Sequence, residues 1–291
     1  MTKESNPIHI YALVDGAQHP LPIRDALQGA PDIRNVYAGL PEEAAENASL
    51  FLARIDNAKA QWLSTLDRLD HLAPCLTLIW SRAGIGELAA HLQSFLLADI
   101  GDGMTALVRY FDPRNLAFVL EVWGKDITEE LMKPIQQWKY RGYAEDWQRI
   151  DGLLDGTQTV AYPIKISLSQ EQVDMITTHC EADQLLAALV ENGDVNGDGP
   201  YLERFEAFEA RYLRAIQWGL EEPADRLLYC QYSYLYGADF DSHPDVRSAF
   251  ERSTPDQSFG ERLASVWPTV WESLLAKQQK KSAPRFDPAR A

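Results

Sequence analysis

Two segments of the sequence combine residue types and spacing that are typical of ligand sites. The first, DVNGDG at Asp194–Gly199, opens like a calcium loop, with oxygen ligands available at Asp194, Asn196 and Asp198 before a glycine. The twelfth position of such a loop should supply a bidentate glutamate, but here it is Phe205. We therefore interpret the segment as a polar turn between two helices and predict no metal site.

The second segment, WSRAGIGELA, places Gly84-x-Gly86-x-x-Ala89 between a predicted strand and a predicted helix, the setting of a dinucleotide-binding fingerprint. Asp112 ends the next predicted strand, where a ribose-binding acid would lie. Glu87, however, occupies the first helical turn, where a pyrophosphate should bind the positive end of the helix. We favour a structural strand-to-helix turn. The alternative is a nucleotide-dependent enzyme that uses Gly84 and Gly86.

The histidines form no recognisable catalytic or metal-binding motif, because none lies in an HExxH pattern and the chain has no GxSxG. The six scattered positions are His9, His19, His71, His91, His179 and His243. His91 is predicted on the polar side of its helix. Residues distant in sequence can still assemble into a triad, but we predict no catalytic residue and no cofactor, and expect a protein that is not an enzyme.

The charge of the chain disfavours anionic partners. It has 291 residues with 27 Lys+Arg against 43 Asp+Glu, a formal net charge of -16, which would repel nucleic acid and anionic lipid. The basic C-terminal tail is expected to be a frayed, solvated end. Its cationic residues are Lys277, Lys280, Lys281, Arg285 and Arg290.

Membrane and disulfide signals are weak. The longest apolar run, Leu185–Val190, is too short to cross a bilayer, and the N-terminus lacks the apolar region of a signal peptide, so we expect a cytoplasmic protein with no membrane insertion. Cys75, Cys180 and Cys230 lie far apart in apolar surroundings and are expected to be buried, reduced thiols.

The pattern of elements changes along the chain. Up to about residue 165, strand-like and helical runs alternate, which is typical of a mixed or parallel sheet with flanking helices. One run, MTALVRYF at Met104–Phe111, is predicted as a strand, and a helix is predicted to begin after Pro113. Strand signals mostly stop afterwards. We predict an α/β domain over residues 1–165 and an all-helical domain over residues 166–291, joined near Tyr162–Ser169.

Helix-start signals support the helical second half. Ser169 with Gln172, and Ser258 with Glu261, form the spacing of capping boxes. The last helical stripe contains apolar residues from Leu263 to Leu274, Trp267 among them, and Pro268 interrupts it. A kink or a restart is therefore expected at this proline.

Several segments resemble, in order and spacing, the family of type VI secretion effector adaptors, also called effector chaperones and catalogued first as a domain of unknown function. The segments are YALVDGA at Tyr11–Ala17, LF at Leu50–Phe51, APCL at Ala73–Leu76, HL at His91–Leu92, and Asp102-Gly103 followed by RYFDPR at Arg109–Arg114. The resemblance covers roughly residues 8–140. Cys75 departs from it, because the family often has an aromatic residue there. The motif residues are Asp15, Pro74, Arg109, Tyr110, Phe111, Asp112, Pro113 and Arg114.

The resemblance implies a non-enzymatic cytoplasmic protein that binds a type VI effector and helps to load it onto the VgrG spike protein. Within the motif, Asp112 can accept hydrogen bonds from the N–H groups of the helix that Pro113 opens, and Arg109 or Arg114 can pair with it. We interpret the motif as architecture first, with direct contact to a partner as the alternative.

Aromatic residues of the second half are candidates for partner binding, because tyrosine and tryptophan supply contact area together with a polar group. LYCQYSYLYG places Tyr229, Tyr232 and Tyr236 on one helical face. We predict Trp218, Tyr232 and Tyr236 as partner-binding residues. The alternative that they line a seam between the two domains stays open.

Overall fold

The computed structural model describes residues 7–152, 164–251 and 257–282. These residues divide into two compact units. The first contains the chain up to Cys180 together with Pro200–Leu202, and the second contains Glu181–Gly199 and the chain from Glu203 onward. The predicted boundary after residue 165 stays a prediction. Of the predicted frayed tail, Lys277, Lys280 and Lys281 lie in a helix that ends at Ser282, whereas Arg285 and Arg290 lie outside the described residues.

All strands of the described residues belong to the first unit and form two sheets. They are β1 His9–Asp15, β2 Ile33–Asn35, β3 Leu50–Ile55, β4 Leu76–Ser81, β5 Leu97–Asp99, β6 Thr105–Leu107, β7 Ile135–Tyr140, β8 Gln148–Asp151 and β9 Ile166–Ser167. A six-stranded sheet has the order β2-β3-β1-β4-β7-β8, and each of its neighbouring pairs is antiparallel. A three-stranded sheet, β6-β5-β9, contains a parallel pair, β5 with β9.

Helices cover the first unit and dominate the second half of the chain, as predicted. They are α1 Pro20–Leu27, α2 Gln61–Leu72, α3 Ile85–Gln93, α4 Leu116–Met132, α5 Gln170–Glu191, α6 Tyr201–Gln217, α7 Pro223–Tyr236, α8 Pro244–Glu251, α9 Phe259–Ala264 and α10 Pro268–Ser282. The predicted fold class, a sheet-based α/β half followed by a helical half, is therefore confirmed.

The central strand β1 is buried on both faces of the six-stranded sheet. Tyr11 and Leu13 belong to the core that contains residues of α3 and α4. Ala12 and Val14 belong to the core that contains residues of α1 and α2. Because successive side chains of a strand point to opposite faces, one apolar run supplies both cores.

The predicted strand over Met104–Phe111 is wrong in its extent. Strand β6 ends at Leu107, and the residues that follow form a turn. Helix α4 begins at Leu116 rather than directly after Pro113. The side chains of Tyr110 and Phe111 look strand-like because they are apolar and buried, but the backbone around them turns to place the neighbouring charged groups.

Capping and proline signals set the ends of the later helices. Gln172 N–H donates to Ser169 Oγ and Ser169 N–H to Gln172 Oε1, at 3.3 and 3.0 Å, so this capping box is confirmed. The box of Ser258 and Glu261 also forms. The chain ends α9 at Ala264 and starts α10 at Pro268, which confirms the restart.

The cysteines and the helix lengths complete the description. Cys75 and Cys230 are buried free thiols, whereas Cys180 is only half-buried, against expectation. Burial raises the pKa of Cys230 to about 12, so its thiolate is scarce at neutral pH. In the described part of the chain, no helix has both the length and the apolar character needed to span a bilayer.

Candidate functional site

The Asp-Pro motif forms the turn between β6 and α4. The Asp112 carboxylate is 2% exposed and accepts three hydrogen bonds from Arg114, one from the backbone N–H at 3.0 Å and two from the guanidinium at 2.9 and 2.7 Å. The Asp112 carbonyl accepts the N–H groups of Asn115 and Leu116 at 2.9 and 3.0 Å. Asp112 therefore organises the turn that leads into α4, and Pro113, which has no N–H, is buried within it.

Arg109 extends this pair to the end of β1. Its Nη2 donates to Asp15 Oδ2 at 2.5 Å and lies 3.5 Å from Asp112 Oδ2. Asp15 also accepts the N–H of Ala17 at 3.1 Å. We call Asp15, Arg109, Asp112 and Arg114 the ion-pair chain. Its side chains are 1%, 36%, 2% and 10% exposed, so only Arg109 offers substantial surface to solvent.

The ion-pair chain shifts the pKa of Asp112 and that of Arg109. Burial alone would raise the pKa of Asp112, but Arg114 and Arg109 together hold that pKa below its usual value. Burial likewise works to lower the pKa of Arg109, but Asp15 and Asp112 raise it. Both groups are therefore charged at neutral pH, as a stabilising ion pair requires.

Pro74 lies buried between α2 and β4, beside the same end of β1. The N–H of Asp15 donates to the Cys75 carbonyl at 2.8 Å. The Asp70 carboxylate accepts the N–H groups of Cys75 and Leu76 at 2.7 and 2.8 Å. The segment after Pro74 is thus held in place by two groups, the Asp70 carboxylate of α2 and the backbone N–H of Asp15 in β1.

A second buried ion pair, missed in the sequence, supports this region. Arg141 donates to Asp70 and Asp67 at 2.7 and 2.8 Å, and its guanidinium lies 4.3 Å from the Trp147 ring centroid. The side chains of Arg141 and Asp70 are 8% and 1% exposed. No local signal reveals the pairing, because 71 residues separate the partners.

Tyr110 and Phe111 are core residues. The Tyr110 hydroxyl donates to the Leu92 carbonyl at 2.6 Å, and its ring packs edge-on against Trp138. Phe111 is 2% exposed. His91, predicted on the polar side of its helix, is instead 2% exposed, with Nε2 2.8 Å from the Leu131 carbonyl. The hydrogen bond compensates for the burial of the His91 ring. The periodicity of the sequence does not predict this burial.

Gly142 brings the chain after β7 against the Asp-Pro turn. Its φ is +58°, and a Cβ atom at this position would lie 2.8 Å from the Pro113 carbonyl oxygen. Glycine is therefore required here by both the backbone conformation and the close approach. The glycine itself is visible in the sequence, but its contact with Pro113 is not.

The predicted partner-binding residues are half-buried in the second unit. Trp218 Nε1 donates to Asp241 Oδ2 at 2.7 Å, and Asp241 also accepts from Arg214 and Tyr229. Asp241 is fully buried, so Trp218 belongs to a buried hydrogen-bond network. A more exposed aromatic was missed: Trp267, assigned to the apolar stripe of the last helices, is 73% exposed.

Tyr232 and Tyr236 form an aromatic cluster with α10. Their ring centroids are 5.4 Å apart and lie 5.0 and 4.8 Å from the Trp271 centroid. Each tyrosine keeps part of its surface accessible. Partner binding by these residues stays a prediction.

The glycine-rich turn and the calcium-like segment have structural roles. Gly84 N–H donates to Glu87 Oε2 at 3.1 Å, so the Glu87 side chain caps the start of α3. Asp194–Gly199 connects α5 to α6, with Asp198 N–H donating to Asn196 Oδ1 at 3.0 Å. The described residues contain no group of three His, Cys, Asp or Glu side chains placed to hold a metal ion.

The first unit is thus an α/β scaffold in which the four charged motif residues form one ion-pair chain. Residues 10–129 match the model of a family described as Domain of unknown function (DUF4123). This family is associated in general with type VI secretion effector adaptors. The match covers less than half of the chain. It includes the whole ion-pair chain but not the second unit, which we call the helical unit. No curated protein and no solved structure matches the chain.

Proposed function

We propose that the protein is a non-enzymatic cytoplasmic adaptor that binds a type VI secretion effector and helps to load it onto the VgrG spike protein. The observation that carries this proposal is the match of residues 10–129 to a family associated with such adaptors. The order of YALVDGA and RYFDPR, which converge at Asp15 and Arg109, supports it. The partners are therefore two proteins, an effector and the spike.

The geometry of the motif suits a scaffold for protein binding. Asp112 and Asp15 are almost fully buried and already accept hydrogen bonds from neighbouring groups, so the ion-pair chain holds elements together. Arg109 alone is accessible enough for a contact with a partner. The net charge of -16 also favours a protein partner over nucleic acid.

The two units suggest a division of roles. The α/β unit contains the matched residues, whereas the helical unit lies outside the match. We therefore assign selectivity for the cargo to the helical unit, where Trp267 is 73% exposed and Tyr232 and Tyr236 are half-buried. Exposed or partly exposed aromatic residues are common anchors in protein interfaces.

The alternative, a nucleotide-dependent enzyme, needs an anion at the start of α3. The carboxylate of Glu87 already accepts the Gly84 N–H there, and the six-stranded sheet is antiparallel rather than the parallel sheet of dinucleotide-binding folds. These observations favour the adaptor. We therefore expect dinucleotides to leave the melting temperature of the protein unchanged. A dinucleotide that did bind the folded state would raise this temperature.

The decisive experiment is co-expression of the full chain with each toxin candidate encoded beside it, and separately with the spike protein, followed by pull-down. We expect a stable complex with one effector and with the spike. A full chain that folds but binds neither protein would overturn the adaptor. A dinucleotide that also raised its melting temperature would favour the enzyme.

A further inference from the structure

An open groove lies on the first unit, between α4 and the start of α5. Its volume is ≈ 620 Å³. It is lined by Phe118, Glu171, Asp174, Met175, Thr178 and His179. Neither the motif nor the predicted partner-binding residues belong to it.

The apolar floor of the groove is held in place by neighbouring groups. The rings of Phe118 and His179 are stacked, with centroids 4.0 Å apart and planes inclined by 8°. His179 Nε2 lies 3.3 Å from the Arg114 carbonyl, and since a carbonyl only accepts, this nitrogen carries the proton. Gln172 donates to the Val122 carbonyl at 2.7 Å and joins α5 to α4. The floor is therefore preformed.

The rim of the groove is acidic. Glu171 and Asp174 are exposed and three residues apart on α5, so they lie on the same side of the helix. Asp174 accepts a hydrogen bond from Gln170 at 2.8 Å, but neither carboxylate forms an ion pair with any residue that the structure describes. Met175, which follows Asp174, is 44% exposed.

We propose that this groove binds a segment of a protein partner that presents a lysine or arginine next to an apolar side chain. The cation would pair with Glu171 and Asp174, and its aliphatic stem and the apolar neighbour would cover Phe118 and Met175. An open groove with an apolar floor suits side chains on a protein surface better than an enclosed metabolite. Its carboxylates disfavour phosphate-bearing ligands, because like charges repel. This inference depends on the proposed function in one respect only, namely that the partner is the effector or the spike.

The binding test uses the full chain and a fluorescent amphipathic peptide of leucine and lysine, with a leucine and glutamate peptide as the negative probe. Fluorescence anisotropy measures Kd at physiological salt. The groove variant is Glu171→Gln with Asp174→Asn, and the matched control is Glu145→Gln with Asp146→Asn. The control removes the same charge from two other exposed carboxylates of the same unit.

We expect the groove variant to weaken binding of the leucine and lysine peptide about tenfold, and the control to change it less than about twofold. Met175→Gln, which keeps the charge, should also weaken binding. Melting temperatures establish that the variants are folded. Equal weakening by the groove and control variants would mean that net charge alone attracts the peptide, and would overturn the proposal. No binding by the unchanged protein would also overturn it.

Pull-downs of the effector and the spike with the same variants separate this inference from the proposed function. If the unchanged chain binds a partner and the groove variant binds it equally well, the groove proposal fails and the adaptor function stands. If neither protein binds the unchanged chain, the adaptor function fails, and the peptide measurement still decides the groove.

Discussion

Nη2 of Arg109 lies 2.5 Å from Oδ2 of Asp15, although 94 residues separate them in sequence. This contact joins the end of β1 to the turn before α4. Asp15 is buried and Arg109 is 36% exposed, and among the described residues Arg109 is the cation that pairs with this carboxylate.

We expect Arg109→Met to destabilise the protein chiefly by leaving Asp15 buried without its cation. Partial exposure of Arg109 screens the pair, so the expected loss in unfolding free energy is about 1 to 2 kcal/mol. A double-mutant cycle with Asp15→Asn, measured by urea unfolding, should give a coupling energy clearly above zero. Additive effects of the two changes would contradict a direct interaction.

The Asp112 carboxylate should make stability depend on pH in the acid range. Its pKa is held below the usual value of about 3.9, so the folded state favours the charged form. The resulting stabilisation is complete above the unfolded pKa and is lost as pH falls through the folded pKa.

Asp112→Asn should therefore destabilise the protein most at about pH 7, by roughly 3 kcal/mol because Arg114 loses its partner, and less towards about pH 2. Urea midpoints measured across this range for both proteins provide the test. A difference that stays constant with pH would show that Asp112 is not the titrating group.

Gly142→Ala should destabilise the first unit through both strain and collision. A Cβ would lie 2.8 Å from the Pro113 carbonyl oxygen at a φ of +58°. The control is Gly103→Ala, because Gly103 also has a positive φ, +74°, but no atom within 4 Å of the added Cβ. We expect the free energy of unfolding to fall by about 1 kcal/mol in the control and by more in Gly142→Ala. Equal losses would mean that the Pro113 contact is easily relieved.

The exposed and buried tryptophans of the helical unit should separate binding from stability. Trp218→Ala removes a donor from the buried Asp241 and should lower the melting temperature, whereas Trp267→Ala should not. If the helical unit selects the cargo, Trp267→Ala should weaken effector binding by at least about tenfold. Normal binding by Trp267→Ala, Tyr232→Ala and Tyr236→Ala would move the cargo surface to the first unit.

The predicted boundary after residue 165 can be tested with two fragments. Ile166 and Leu168 are buried in the core of the first unit, and Val173 and Ile176 pack against it. A fragment of residues 1–180 should therefore melt at a higher temperature than one of residues 1–165. Equal melting temperatures would support the earlier boundary.

The sequence by itself determined the fold class, the two capping boxes and the restart at Pro268, because these depend on patterns within a few residues. The motif residues could also be selected from the sequence. The sequence places Glu87 in the first turn of α3, and its side chain caps that helix. This interaction is local, because it joins residues only three positions apart.

Only the tertiary structure decided which of these residues meet. Asp15 with Arg109, Asp70 with Arg141, and Trp218 with Asp241 are joined across 94, 71 and 23 residues. Such contacts depend on how the strands are ordered and how the helices pack, which local periodicity does not encode. The same reason explains why His91 is buried, why Trp267 is exposed, and why β6 stops before Arg109: burial and backbone direction depend on neighbours that are distant in the chain.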